Sequence, residues 1–171
     1  MADVSHLDPN YRASEYSVAN ADARCPHCGR STRVVALVLP ATHEALDAES
    51  EELNVWQPVG ANAILFYVAR LPEGVQGRLR RLSPTFRLAH SDVTANSYWA
   101  NHCEHCGLLL NDHDLHCEPG APFMPGSQGE AARIQLFKIH EPFAAAAAGC
   151  AIEPEFFYSC SGPEGGWPFI S

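Results

Sequence analysis

Two short stretches, Cys25-Pro-His-Cys28 and Cys103-Glu-His-Cys106, set paired thiols two residues apart, and each is followed by a glycine, Gly29 and Gly107. Two intervening residues make a tight turn that lets both sulfurs approach one ion while N–H groups of the turn point at them and reduce their charge. The glycine supplies the positive φ that closes such a turn. Two turns of this kind brought together offer four thiolates in a tetrahedron, the closed coordination of structural Zn²⁺, with no position left for substrate. Cys25, Cys28, Cys103 and Cys106 are therefore the expected ligands of one structural zinc ion per chain, and four thiolates accept iron as well.

Cysteine usage points the same way. The total is seven, an odd number, and short-spaced pairs in a chain that shows no apolar secretory start read as metal ligands before disulfides. Neither C-x-x-C opens a helix after a strand, as a thioredoxin-like redox pair would. Cys117, Cys150 and Cys160 match no second site and read as buried small residues or free thiols.

A second group lies at 102–118: His102, His105, His113 and His116 with Asp112, Asp114, Cys117 and Glu118. Imidazoles and carboxylates together suggest a catalytic metal and a metal-dependent hydrolase. The spacing argues against the known patterns. His113-x-x-His116 lacks the i, i+4 histidines of H-E-x-x-H. Neither His102-Cys-Glu104 nor His116-Cys-Glu118 is followed by the P-C-x-x-C of a nucleobase deaminase. His27 and His105 sit inside the knuckles beside a ligand set that is already complete. Ser127, Ser159 and Ser161 fit no G-x-S-x-G nucleophile motif, and the glycine-rich tail has no phosphate-loop lysine.

Arg70, Arg78, Arg80, Arg81 and Arg87 make 70–87 a basic segment against Glu73 alone, whereas 41–53 is acidic through Glu44, Asp47, Glu49, Glu51 and Glu52. The arginines read first as a solvated surface partly paired with the acidic segment, and second as a docking patch for an acidic protein surface or RNA phosphates. A net charge of −9 disfavours a general affinity for nucleic acid. No apolar run is long enough for a membrane helix.

The elements that must carry these residues read mostly as strands. Val34–Leu39 is a continuous apolar run closed by Pro40, the pattern of a strand buried on both faces. Ala61–Ala69, Thr85–His90, Ser97–His102 and Arg133–His140 are further strands. Phe143–Ala151 reads as a short helix behind Pro142, and 120–129 and 161–167 as loops. Residues 1–24 read as a flexible N-terminal arm and 25–171 as one zinc-stabilised domain. Tyr98, Trp99, Phe156, Phe157, Tyr158, Trp167 and Phe169 are assigned to packing around the metal core.

The double C-x-x-C-G pattern resembles the zinc-ribbon and rubredoxin-like families, in which two knuckles on β-hairpins clamp a metal. The resemblance covers only the knuckles, and the whole stretch Gly29–His102 separates them here. Tyr98–Gly107, with Asp112 and His116–Gly120, is also similar to small bacterial zinc-knuckle proteins. The resemblance implies an α+β, β-rich single domain with a ribbon-like four-cysteine clasp joining two distant knuckles. The expected function is that of a cytoplasmic, non-enzymatic bacterial protein that binds another protein, in one form as an acidic inhibitor or immunity protein. A nucleic-acid-binding ribbon using the 70–87 arginines is the alternative, and the hydrolase at 102–118 a second one.

Overall fold

The apolar run at Val34–Leu39 is the centre of the molecule. Val35, Leu37 and Leu39 enter one buried cluster, with Tyr16, Val18 and Leu65. Val34, Ala36 and Val38 enter another, with Ala19, Ile64 and Cys25. Alternation along a pleated strand sends successive side chains to opposite faces, so this strand is buried on both, as its unbroken hydrophobicity requires.

In the computed structural model, residues 8–152 are described. They form, in chain order, β1 (Tyr11–Ala13), β2 (Tyr16–Arg24), β3 (Ser31–Leu39), β4 (Glu44–Leu46), β5 (Trp56–Pro58), β6 (Ala63–Arg70), α1 (Glu73–Leu82), β7 (Phe86–Ser91), β8 (Asn96–His102), β9 (Leu109–Leu110), α2 (Asp112–His116), α3 (Gln128–Ala131), β10 (Gln135–Ile139) and β11 (Phe143–Ile152). Eight strands make one curled sheet in the order β10-β2-β3-β6-β11-β1-β4-β5, and β7-β8-β9 make a second, smaller one. The strand pairs are antiparallel.

The expected α+β class is corrected. Of the described residues 46% are strand and 13% helix, a mostly β structure with too little helix to form a layer of its own. The longest helix, α1, has 10 residues and packs Val75, Leu79 and Leu82 onto the first cluster. That helix occupies the centre of the basic segment. Its apolar residues at i, i+4 and i+7 were the available signal, masked by the arginines between them.

Two local expectations also change. From residue 11 the proposed arm is β1 and β2, and Tyr16 and Val18 are buried in the core. Residues 1–7, like Cys160, the loop 161–167 and the aromatic residues from Phe156 to Phe169, lie outside the described residues. Phe143–Ala151 is strand, not helix, because β11 pairs with β1 on one side and β6 on the other. Pairing on both sides outweighs the modest helix preference of alanine.

One irregularity matters for the surface. Leu65 and Val68 both face the first cluster, three residues apart, where an undisturbed strand would send them to opposite faces. Tyr67 between them has φ 51, a left-handed backbone that turns its side chain out of the alternation. Its N–H donates to the Asp112 carboxylate at 2.7 Å.

Candidate metal centre

Both knuckles are hairpin turns of the same build. Arg24 pairs with Ser31 across β2 and β3, and His102 with Leu109 across β8 and β9. Six residues close each hairpin. In the first, the Cys25 N–H donates to Arg30 O and the Gly29 N–H to Cys25 O, both at 2.9 Å. In the second, the Cys103 N–H donates to Leu108 O at 2.8 Å and the Gly107 N–H to Cys103 O at 2.9 Å. Gly29 and Gly107 have φ of 71° and 75°, so each occupies the left-handed position that its place after the second cysteine predicts.

The two turns meet. Cys25 Sγ lies 3.6 Å from Cys106 Sγ, and Cys28 Sγ 3.7 Å from Cys103 Sγ. The four sulfurs all fall within 4.8 Å of one another. A Zn–S bond of about 2.3 Å sets tetrahedral sulfurs about 3.8 Å apart, so the spacing fits one ion at the centre. It is far beyond the roughly 2.05 Å of a disulfide. The first cysteine of each turn is buried, Cys28 half-buried and Cys106 exposed, which places one side of the cluster against the core and the other toward solvent.

Contacts outside the sulfurs hold the turns in register. The Glu104 N–H donates to the buried Thr32 hydroxyl at 3.0 Å, and His105 Nε2 donates to Ser31 O at 2.8 Å. Asn101, fully buried, forms two hydrogen bonds to the Val35 backbone. Burial opposes ionisation of Cys103, yet the N–H groups of Cys106 and His105 and the neighbouring thiols bring it down to about 6. Cys106 is helped by the Leu108 N–H, but burial and proton sharing with Cys25, Cys103 and Cys28 push it up to about 11. Without a cation Cys103 gives up its proton readily and Cys106 resists doing so; a divalent cation at the centre removes that resistance.

The other sequence candidates do not form one cluster, although three of them meet at the surface. His27 is exposed, and His105 is engaged by Ser31 as described. His102 is buried with Nδ1 at 3.1 Å from Thr85 O and 3.0 Å from Ala100 O; burial first, and the charge of Arg87, lower its pKa. Asp112 and His116 lie on α2 facing inward. Burial pushes the Asp112 carboxyl up to about 7 against the opposing Tyr67 hydrogen bond, and burial lowers His116 to about 4. His116 stacks on Phe123 at 5.0 Å. His113, Asp114 and Glu118 come within 4.8 Å of one another on the exposed side. Cys117 is exposed and Cys150 half-buried, both free.

Of the arginines, Arg78 makes a two-pronged ion pair with Glu141 at 2.8 and 3.0 Å, a residue the sequence did not single out. Glu44 of the acidic segment pairs instead with Arg12 at 2.7 Å. Arg80, Arg81 and Arg87 are exposed, and Arg80 reaches Gln76 at 3.3 Å.

Among the described residues no helix is long and apolar enough to cross a membrane. No protein-family model matches the chain, and no curated protein sequence or solved structure does either, so the functional reading rests on the four-cysteine cluster and its surroundings.

Proposed function

We propose that Cys25, Cys28, Cys103 and Cys106 bind one Zn²⁺ as the structural clasp, ribbon-like in build, of a non-enzymatic cytoplasmic protein that works by binding another protein. The observation that carries this reading is the sulfur spacing of 3.6 and 3.7 Å across two matched hairpin turns. A complete thiolate set leaves the ion no open position for water or substrate, which supports a structural role.

Support for a protein partner comes from the surface beside the clasp. Pro26, Val93, Leu108 and Pro122 border a depression of about 800 Å³, with Val93 84% and Leu108 38% exposed. Apolar side chains rimmed by polar ones mark interaction surfaces. The net charge of −9 suits a basic partner, as for an inhibitor of the immunity type. A nucleic-acid partner is the weaker reading, since that charge repels phosphate and Arg78 is already engaged by Glu141.

The test is elemental analysis of the untagged chain with Cys25→Ser and His116→Ala variants. One zinc per chain, lost in Cys25→Ser and kept in His116→Ala, is the expected result. No metal, or a second metal that depends on His116, would overturn it. The partner reading expects a stoichiometric complex with a basic protein that Leu108→Asp abolishes.

A further inference from the structure

Three non-glycine residues among those described have a left-handed backbone: Asn54, Tyr67 and Ala95. Two of them, Tyr67 and Ala95, line the same cavity, which has a volume of about 700 Å³. Such conformations cost of order 1–3 kcal/mol each and persist where surrounding structure enforces them, most often at binding sites.

The cavity exists because of the alanine run in β11. Ala146, Ala147 and Ala148 form one wall, and side chains of that size cannot fill the space toward the β7–β8 turn at Thr94–Asn96. The wall is held in place by Asn10, whose side chain donates to Ala147 O at 2.8 Å and accepts from the Ala147 N–H at 2.9 Å. Tyr67 forms another side, its ring set edge-on to Tyr98 at 4.9 Å and its hydroxyl donating to Asn111 at 2.9 Å. Both rings are thus fixed without help from a ligand.

The remaining lining is polar, with Asp8, Asn10, His90, Thr94, Asn96 and Ser97 around the apolar wall. Thr94 lines the cavity and keeps its hydroxyl oxygen buried without a hydrogen-bond partner. Asp8 is the only carboxylate of the lining, and no lysine or arginine contributes to it. A cavity of this volume whose lining surface is mostly apolar, with polar groups beside the apolar wall, is the form of a small-molecule site.

We propose that this cavity binds a small aromatic amine, its ring against Tyr67 and the alanines of β11 and its ammonium group at Asp8. The ring takes up the apolar wall, the ammonium meets the one carboxylate of the lining, and an anion is disfavoured by the same carboxylate and by the net charge of −9. The site is separate from the metal clasp, and its occupation does not require the clasp to bind a protein.

The test is a titration of the isotopically labelled full chain, followed by amide chemical shifts, with phenethylamine, the neutral phenethyl alcohol and the anionic phenylacetate. Saturable shifts at Tyr67, Thr94–Ser97 and Ala146–Ala148 are expected with the amine. The alcohol should bind about fivefold more weakly, the size of an exposed charge pair, and phenylacetate not measurably. Ala148→Leu, at an exposed position of the wall, should abolish the shifts, and Asp8→Asn should make amine and alcohol equal. Equal binding of all three probes, binding that survives Ala148→Leu, or no saturable shift at these residues would overturn the proposal.

Discussion

Asn101 is paired with Val35 as if it were a piece of backbone: its amide donates to Val35 O and its carbonyl accepts from the Val35 N–H, both at 2.9 Å. The geometry explains the need. β6 pairs with β3 only from Leu37 onward, so at Val35 one edge of the central strand has no neighbouring strand. Asn101, at the end of β8 and two residues before Cys103, fills that gap and sets the distance between the knuckles.

Replacing Asn101 with leucine keeps its branched shape but strands two buried backbone groups, each costing about 1–3 kcal/mol. We expect a stability loss of about 2–4 kcal/mol and weaker zinc binding, because the hairpins lose their register. Denaturant unfolding and a competitive zinc titration check this. Near-parental stability would show that water or another group satisfies Val35.

The glycines after each knuckle separate backbone cost from contact cost. A Cβ on Gly107 would meet nothing within 4 Å, and on Gly29 only an Arg24 guanidinium nitrogen at 3.9 Å. Their φ values of 71° and 75° remain. Gly29→Ala and Gly107→Ala should each cost about 1–2 kcal/mol and weaken zinc binding, whereas asparagine, which tolerates the left-handed region, should cost less. Equal effects of Ala and Asn would remove the conformational explanation.

These residues mark what the sequence could and could not disclose. The knuckles were legible because thiol spacing and the trailing glycine are local chemistry, and β3 because burial on both faces leaves an unbroken apolar run. Asn101 gave no signal, since an asparagine that bonds a backbone far along the chain looks like any surface asparagine. α1 was hidden under arginines read as a charge patch, and β11 under alanines read by helix preference. In both cases the deciding contacts, Leu79 against the core and Gly149 against Phe66, are long-range.

That last pair gives a prediction of its own. Gly149 faces Phe66 across β11 and β6, and a Cβ there would lie 2.7 Å from Cε2 and 3.0 Å from Cζ of the ring. The ring is also set edge-on to Tyr67 at 6.2 Å and near His116 at 6.1 Å, so it cannot swing freely. Gly149→Ala should lose about 1–3 kcal/mol, and Phe66→Leu in the same chain should recover part of it. Thermal unfolding of the two single variants and the double one measures the coupling; simple additivity would refute the contact.

Asp112 and His116, one turn apart on α2, should tilt the pH dependence of stability in opposite directions. Burial in the fold pushes the Asp112 carboxyl from its ordinary 3.8, the value in the unfolded chain, up to about 7. Between about pH 4 and 7 the folded chain therefore keeps a proton that the unfolded chain has lost, and stability falls as pH rises. His116 moves from 6.5 to about 4, also through burial. Between about pH 6.5 and 4 the unfolded chain binds a proton that the folded chain refuses, so stability falls as pH drops. In the parent chain the two nearly cancel across about pH 4 to 6.5. Asp112→Asn, which can still accept the Tyr67 N–H, should gain stability relative to the parent as pH rises through this window. His116→Phe, set beside Phe66 and Phe123, should lose it. Each change is on the order of a few kcal/mol. Referring each variant to the parent at the same pH removes the loss of metal in acid, which is common to all three. Parallel pH profiles for parent and variants would mean that neither group is held in its buried, neutral form.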